Sequence, residues 1–277
     1  MKKILASLMA VLSLAACSSK KTAEEAPAEP KTLILCYSQT GTTLKLANEL
    51  LAQLPYADLE TIDAAEPYDG DFQATVERGK KEMEAGATPA LNPLKSNIAD
   101  YDQIFLCFPV WFGTYAQPIA TLLKEHDFEG KKVIVCCTFG SGGLQSCTEA
   151  VRTALPKAEV IEGFGIRTAR IDKAADELNR FLIEHGFKQG SVEALPAFME
   201  HLPVDDAEKA IFDEACADYQ FPLGTPVSVA GRETANSTDY EFTAESTDRD
   251  GNHTTATILV TKGKEEGAKA EFTQVIR

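Results

Sequence analysis

The chain is short of basic residues and of histidine, and both shortages exclude classes of function. It has 27 Lys and Arg against 42 Asp and Glu, a formal net charge of −15, which argues against nucleic acid as a partner. Its four histidines have no metal-ligand spacing, and no two cysteines stand in a CxxC pair. We therefore expect no metal site built from protein ligands.

An apolar run near the N-terminus is too short to span a bilayer. Lys2 and Lys3 precede this run over residues 4–14, which is the pattern of a signal peptide. The end of the segment, Leu-Ala-Ala-Cys over residues 14–17, resembles the lipobox of bacterial lipoproteins. The resemblance implies cleavage before Cys17 and a lipid on it, which would hold the protein at a membrane, facing the periplasm or the cell exterior. Residues 18–30 are polar and predict a flexible tether.

Six cysteines follow the lipobox, and we expect them to be free thiols. An oxidising compartment would permit disulfides. Most of the six nevertheless lie inside apolar strand-like runs, where cysteine usually serves as a small buried apolar side chain. The six residues are Cys36, Cys107, Cys136, Cys137, Cys147 and Cys216.

Residues 31–189 alternate between strand and helix patterns five times. Strands are predicted over residues 32–37, 58–62, 103–108, 132–137 and 159–163. Helices are predicted over residues 42–54, 72–85, 116–126, 144–155 and 172–185. The interior strands are continuously apolar, as expected where helices cover both faces of a sheet. This alternation predicts an α/β fold with a doubly wound parallel sheet.

Three loops at the carboxyl ends of the predicted strands are typical of a ligand site. The first, hydroxyl-rich and without Lys or Arg, precedes a helix, so neutral donors and the helix N-terminus are expected to hold a phosphate. The second contains the only Trp of the chain, and the third is rich in glycine, which lets backbone approach a flat ring. The first loop contains Ser38, Gln39, Thr40, Gly41, Thr42 and Thr43. The second contains Pro109, Val110, Trp111, Phe112, Gly113 and Thr114. The third contains Thr138, Phe139, Gly140, Ser141, Gly142 and Gly143.

These loops resemble those of the flavodoxin family. Residues 38–43 match its Ser/Thr-x-Thr-Gly-x-Thr phosphate signature, and the other two loops are similar to its second and third flavin-contacting loops. The likeness extends over about residues 31–189 and implies a flavodoxin-like five-stranded parallel sheet of order 2-1-3-4-5 that binds FMN. It is closest to a branch of bacterial flavodoxin-like proteins that includes lipoproteins. The second loop also resembles that of flavodoxin-like quinone reductases.

Residues 190–277 have a different pattern and predict a small α+β domain. A helix is predicted over residues 205–219, followed by strands over 227–232, 239–246, 254–262 and 269–276. This segment has 17 acidic and 7 basic residues, and it contains no motif that indicates a role.

The sequence favours an electron carrier outside the cytoplasm, with redox partner proteins that it does not specify. Trp111 is expected to stack on the flavin, the backbone near Phe112 to contact the ring edge, and the third loop to close the other side. No catalytic side chain is expected. Two alternatives stay open: an FMN-dependent NAD(P)H:quinone-type reductase, and a non-redox binding lipoprotein that uses the fold as a scaffold.

Overall fold

The computed structural model describes residues 30–68, 71–248 and 251–277. The predicted signal peptide, Cys17 and all of the tether except Pro30 lie outside the described residues. Among the described residues, no helix combines the length and the apolar character that crossing a membrane requires. All six cysteines from Cys36 onward are free thiols.

The first unit of the structure alternates strands and helices as the sequence predicts. Its strands are β1 Thr32–Cys36, β2 Asp58–Thr61, β3 Gln103–Trp111, β4 Thr114–Tyr115, β5 Lys132–Phe139 and β6 Glu159–Arg167. Its helices are α1 Thr42–Gln53, α2 Phe72–Ala85, α3 Gln117–Glu125, α4 Leu144–Ala154 and α5 Ala174–Glu184. Short 3-10 turns occur at Ile98–Asp100 and Thr168–Lys173.

Five parallel strands form the central sheet in the order β2-β1-β3-β5-β6. Counting parallel strands only, this is the predicted order 2-1-3-4-5, and the flavodoxin-like fold is confirmed. Alternate side chains of the central strands enter two apolar layers, one on each face of the sheet. Leu35 and Leu106 lie in one layer, and Ile34 and Phe105 in the other. Burial on both faces explains the continuous apolar runs.

Three strands extend beyond their predicted ends, and this corrects the boundaries of two candidate loops. Pro109, Val110 and Trp111 belong to β3, which pairs with β5 as far as Pro109–Thr138 and then turns back into β4. Thr138 and Phe139 belong to β5. Strand pairing with neighbours distant in sequence extends these strands, and local patterns do not contain that information.

Strand β6 continues four residues beyond its predicted end at Gly163. A Cβ atom on that glycine would lie 2.3 Å from the carbonyl oxygen of Val135, so glycine permits a close approach beside the register shift between β5 and β6. It does not end the strand. The extension places Arg167 at the same edge of the sheet as the candidate loops.

The second unit is a five-stranded antiparallel sheet with one helix against it. Its elements are β7 Leu202–Pro203, α6 Asp206–Cys216, β8 Thr225–Glu233, β9 Ser237–Thr247, β10 His253–Gly263 and β11 Ala270–Ile276. The strand order is β11-β10-β9-β8-β7. Phe212 of the helix packs with Phe242 and Phe272 of the sheet in a separate core. The predicted helix and four strands are confirmed, and the two-residue β7 was not predicted.

Candidate functional site

The carboxyl ends of β1, β3 and β5 lie side by side and bring the three candidate loops together. Cys36 is opposite Cys107, and Pro109 is opposite Thr138. A 2.8 Å hydrogen bond between the hydroxyl groups of Thr43 and Thr138 connects the first loop to the third. The loops therefore form one surface at one edge of the sheet.

The first loop enters α1 without a side-chain cap. Gly41 is the N-cap residue in the left-handed conformation, with φ 87°, and no atom lies within 4 Å of where its Cβ would be. Among the described residues, no acceptor is bonded to the backbone N–H of Thr42 or Thr43. A helix N-terminus with free N–H groups and open space in front of it has the donor arrangement that binds a phosphate.

The four hydroxyl groups predicted to face a phosphate have two different roles. Ser38 Oγ accepts a hydrogen bond from the N–H of Leu44 at 3.1 Å, and Thr43 is buried and bonded to Thr138. The hydroxyl groups of Thr40 and Thr42 lie 3.5 Å apart at the accessible side of the loop, and within the described part of the chain neither bonds to any other residue. Thr40 and Thr42 are thus the hydroxyl donors best placed for a ligand.

The second loop is a tight β-hairpin between β3 and β4. Phe112 and Gly113 form its two-residue turn with φ 52° and 79°, and Phe112 is the one non-glycine residue with positive φ among the described residues. Positive φ at both turn positions is typical of a type I′ turn. The Phe112 side chain is 45% exposed, whereas Trp111 is half-buried.

Trp111 packs edge-on against two tyrosine rings. Its ring centroid lies 5.8 Å from that of Tyr37 and 5.1 Å from that of Tyr68. A Cβ on Gly79 of α2 would lie 3.3 Å from the Phe112 ring and 3.4 Å from the Trp111 ring, so the glycine lets the helix lie directly against the hairpin. Edge-to-face contacts fix the orientation of the indole. Stacking of Trp111 on a flavin stays a prediction.

Sequence reasoning missed a polar cluster that supports these aromatic rings. Tyr68 Oη donates to Glu82 at 2.5 Å, Arg78 Nε donates to the same carboxylate at 2.9 Å, and the guanidinium lies 4.0 Å over the Tyr68 ring. Tyr37 Oη donates to Gln39 Oε1, and Gln39 Nε2 donates to the carbonyl oxygen of Tyr68. Burial raises the pKa of Tyr68, and its hydrogen bond to Glu82 raises it further. The cluster ties the first loop to α2.

Only part of this cluster had a signal in the sequence. Arg78 and Glu82 are four residues apart on a predicted helix, which indicates an ion pair but not its neighbours. Tyr68 lies in an irregular segment after β2, and nothing local predicts its contact with Trp111. Only the fold brings the two rings together.

The third loop packs against the second through backbone and small groups. Gly143 has φ 123°, and a Cβ there would lie 2.9 Å from Val110 Cγ1. Ser146 Oγ donates to the carbonyl oxygen of Gly113 at 2.8 Å. No atom lies within 4 Å of where a Cβ of Gly140 would be. The loop is close-packed on its Gly143 side and open at Gly140.

The donor set of the combined surface fits a phosphate ester with a flat ring attached. Free N–H groups and exposed hydroxyls lie at the first loop, an exposed aromatic ring at the second, and open glycine backbone at the third. The eighteen residues of the three loops include no Asp, Glu, His, Lys or Arg. Among the described residues, no group of three or more His, Cys, Asp and Glu side chains is arranged to hold a metal ion.

A doubly wound parallel sheet with an anion-binding first loop defines a class of α/β proteins that bind phosphate-bearing ligands at the strand ends. A sequence model of the flavodoxin family matches residues 31–181, more than half of the chain, and the chain belongs to that family. Membership of the family supports FMN as the cofactor. No curated protein matches the chain.

Similar solved structures include three bacterial flavoproteins. A flavoprotein from Bacteroides eggerthii is 26% identical over 55% of this chain and 98% of its own, with a TM-score of 0.47. One from Bacteroides uniformis is 27% identical over 54% and 97%, with a TM-score of 0.48. A Lactobacillus acidophilus flavoprotein in complex with FMN is 26% identical over 53% and 99%, with a TM-score of 0.43.

Proposed function

We propose that this protein is an FMN-binding electron carrier held at a membrane outside the cytoplasm. One observation carries the electron-transfer part of the proposal: three converging loops offer phosphate donors, an aromatic hairpin and open backbone, yet no titratable side chain. FMN, when bound, supplies one- or two-electron transfer. Loops without an acid or base of their own suit the passage of electrons to another protein better than the protonation of a bound substrate.

Each loop has a distinct task in this proposal. Thr40, Thr42 and the free N–H groups at the start of α1 would hold the phosphate. Trp111 and Phe112 would cover the flat ring and exclude water from it, with the indole fixed in orientation by Tyr37 and Tyr68. The backbone of the third loop would close the opposite side.

The phosphate assignment is tested by replacing the two accessible hydroxyls. Thr40→Ala and Thr42→Ala should each weaken FMN by about 1.5–3 kcal/mol, the contribution of a charge-assisted hydrogen bond, and leave riboflavin nearly unaffected. Fluorescence titration of the FMN-free protein measures both affinities. Equal weakening of the two ligands would contradict the assignment, and a colourless protein that takes up no FMN would favour the scaffold alternative.

Turnover separates the carrier from a reductase. We expect the FMN-loaded protein to oxidise NADH or NADPH slowly in the presence of a quinone, because the loops include no acid to protonate the quinone as it is reduced. Rapid steady-state oxidation would instead support the NAD(P)H:quinone-type alternative. The absorbance spectrum of the purified protein, taken first, establishes whether flavin is bound.

Membrane attachment through Cys17 forms part of the same proposal and rests on the sequence of residues 1–17. A Cys17→Ala protein should move from the detergent phase to the aqueous phase on phase separation, or remain unprocessed. Unchanged partitioning of a processed Cys17→Ala protein would contradict lipidation. Mass spectrometry of the N-terminal peptide identifies the lipid directly.

A further inference from the structure

The second unit meets the first at the third candidate loop. Strand β11 is the edge strand of the antiparallel sheet and pairs with β10 on one side only. On its other side, the N–H of Val275 donates to the carbonyl oxygen of Ser141 at 2.7 Å. A backbone hydrogen bond therefore joins the last strand of the chain to a loop predicted to contact flavin.

The two backbones are in close contact at this point. A Cβ on Gly142 would lie 2.2 Å from the carbonyl oxygen of Val275. Gly142 is not in the left-handed conformation, so its own backbone does not require glycine. What requires glycine is the strand from the second unit. The close approach of β11 therefore explains why residue 142 is glycine, which the sequence alone does not explain.

Arg167 bridges the same loop and the same strand. Its Nε donates to the carbonyl oxygen of Gly140 at 2.8 Å, and its Nη1 donates to that of Phe272 at 2.7 Å. The guanidinium also lies 4.2 Å over the Phe272 ring. A planar guanidinium has its donors in a fixed arrangement, so it can bond to two carbonyl groups while lying flat on an aromatic ring.

An ion pair strengthens the junction away from the loop. Arg170 donates to Glu271 of β11 at 3.1 Å and lies 2.8 Å from Glu177 of α5, and its side chain is 13% exposed. Three polar contacts therefore join the two units: Val275–Ser141, Arg167–Phe272 and Arg170–Glu271. Within the first unit, Arg167 also bonds to the carbonyl oxygen of Gly140, so two of the residues at the junction hold carbonyl groups of residues 140–141. Such contacts restrict the conformations of the third loop, whose glycines leave its backbone otherwise free to vary.

We propose that the second unit is a positioning element of the cofactor site: β11 and Arg167 hold the third loop in the conformation that receives the flavin. The proposal rests on the proposed binding of FMN. Because coupling between two sites is reciprocal, FMN should in turn strengthen docking of the second unit, and a partner bound to that unit would change FMN affinity.

The test compares Val275→Pro with Val275→Ala in the full chain. Proline removes the N–H that contacts Ser141, and it is tolerated on an edge strand where that N–H points away from the sheet. Alanine retains the N–H, and like proline it loses part of the apolar packing of Val275. The dissociation constant of FMN should be about fivefold higher in Val275→Pro than in Val275→Ala, as expected for the loss of one hydrogen bond. Arg167→Met, which keeps the apolar stem and loses both bonds, should weaken FMN at least as much.

Hydrogen exchange of the Val275 amide, whose N–H donates to Ser141, gives a second readout when it is measured without FMN. This amide should exchange faster in Arg167→Met than in the wild-type protein, because β11 loses one of its bonds to the first unit. Equal FMN affinity in all three variants would overturn the proposal, as would unchanged exchange. If Val275→Pro fails to fold, Arg167→Met decides. If the wild-type protein binds no FMN, the proposed function fails, and the exchange rates alone decide whether β11 holds the loop.

Discussion

Helices α1 and α6 begin in opposite ways. Asp205 caps α6 by accepting hydrogen bonds from the N–H groups of Ala207 and Glu208, and the Glu208 side chain bonds back to the N–H of Asp205. Helix α1 begins at Gly41 with no side-chain cap. One N-terminus is therefore satisfied by its own residues, and the other presents free donors at the edge of the sheet.

This difference separates a structural helix start from one suited to a ligand. A capping box uses the free N–H groups of the first turn to stabilise the helix, typically by about 1 kcal/mol. In the first turn of α1, Ser38 accepts only the N–H of Leu44 among the described residues, and the N–H groups of Thr42 and Thr43 remain for an anion. The contrast extends to the two units, because the candidate loops of the first are uncharged, whereas the second has 17 acidic and 7 basic residues.

The largest expected effect tests whether the two units are separate cores. Phe105 and Phe242 are both fully buried, the first in the parallel sheet and the second in the antiparallel sheet. Either change to Ala should cost about 3–5 kcal/mol of the free energy of unfolding of its own unit. Trp111, the single Trp, reports on the first unit alone. Urea unfolding followed by fluorescence should respond to Phe105→Ala much more than to Phe242→Ala, and equal responses would mean one cooperative core.

The next effect sharpens the contrast between the two helix starts. Thr42→Asp places a negative charge in the first turn of α1, where it should stabilise the FMN-free protein by about 0.3–1 kcal/mol through the helix dipole. The same charge should weaken FMN by about 2–3 kcal/mol, because it repels a phosphate at a partly solvent-screened site. Thr42→Asn, similar in shape and neutral, is the control. In Thr42→Asp, the FMN affinity should therefore fall while the thermal stability of the FMN-free protein rises. A fall in both would mean that the substitution simply damages the fold.

The third prediction concerns thiols in the two units. Burial raises the pKa of Cys36 to about 12, and it raises that of the less buried Cys216 to about 11, from an ordinary 9.0. Because the thiol has a higher pKa in the folded state than in the unfolded state, its contribution to the free energy of unfolding is fully present below pH 9. That contribution is lost as the pH rises from 9 toward the pKa of the folded state. At pH 10 the loss should be about 1.4 kcal/mol for a thiol that ionises only on unfolding. Between pH 8 and pH 10, the free energy of unfolding measured with urea should fall less in Cys36→Ala than in the wild type. An identical fall in the two proteins would refute this prediction.

The smallest expected effect removes the cap of α6. Asp205→Ala should lower the free energy of unfolding of the second unit by about 1 kcal/mol, because two N–H groups lose their acceptor. Asp205→Asn keeps a side-chain acceptor and should lose much less. Circular dichroism during urea unfolding measures both. FMN affinity should stay nearly unchanged in the two variants, since the cap is remote from the junction with residues 140–143.

Most of the fold followed from periodic patterns, and the errors fall where tertiary pairing overrides them. Helix α2 was predicted at its observed bounds, Phe72–Ala85. The parallel sheet followed from the alternation, and its strand order followed from the family resemblance. The ends of β3, β5 and β6 were placed too early. Gly163 looked like a strand end, whereas it is a point of close approach to Val135 within a longer strand.

The candidate site divides in the same way. The motifs placed all three loops, and the structure brings them together, but their assigned contacts with FMN stay predictions. The Tyr68–Glu82–Arg78 cluster and the bridge from Arg167 to β11 were missed, because their members are far apart in sequence and belong to no short motif.

The sequence by itself determined the alternation of strand and helix, the uncharged first loop and the acidic second unit. Each is a local property: apolar periodicity, turn chemistry and residue count. Only the tertiary structure decided how the second unit relates to the loops. The contact between Val275 and Ser141 joins residues more than a hundred positions apart, and it depends on which edge of one sheet lies against the strand ends of another. No local propensity specifies such a contact, because it arises from the packing of two completed cores.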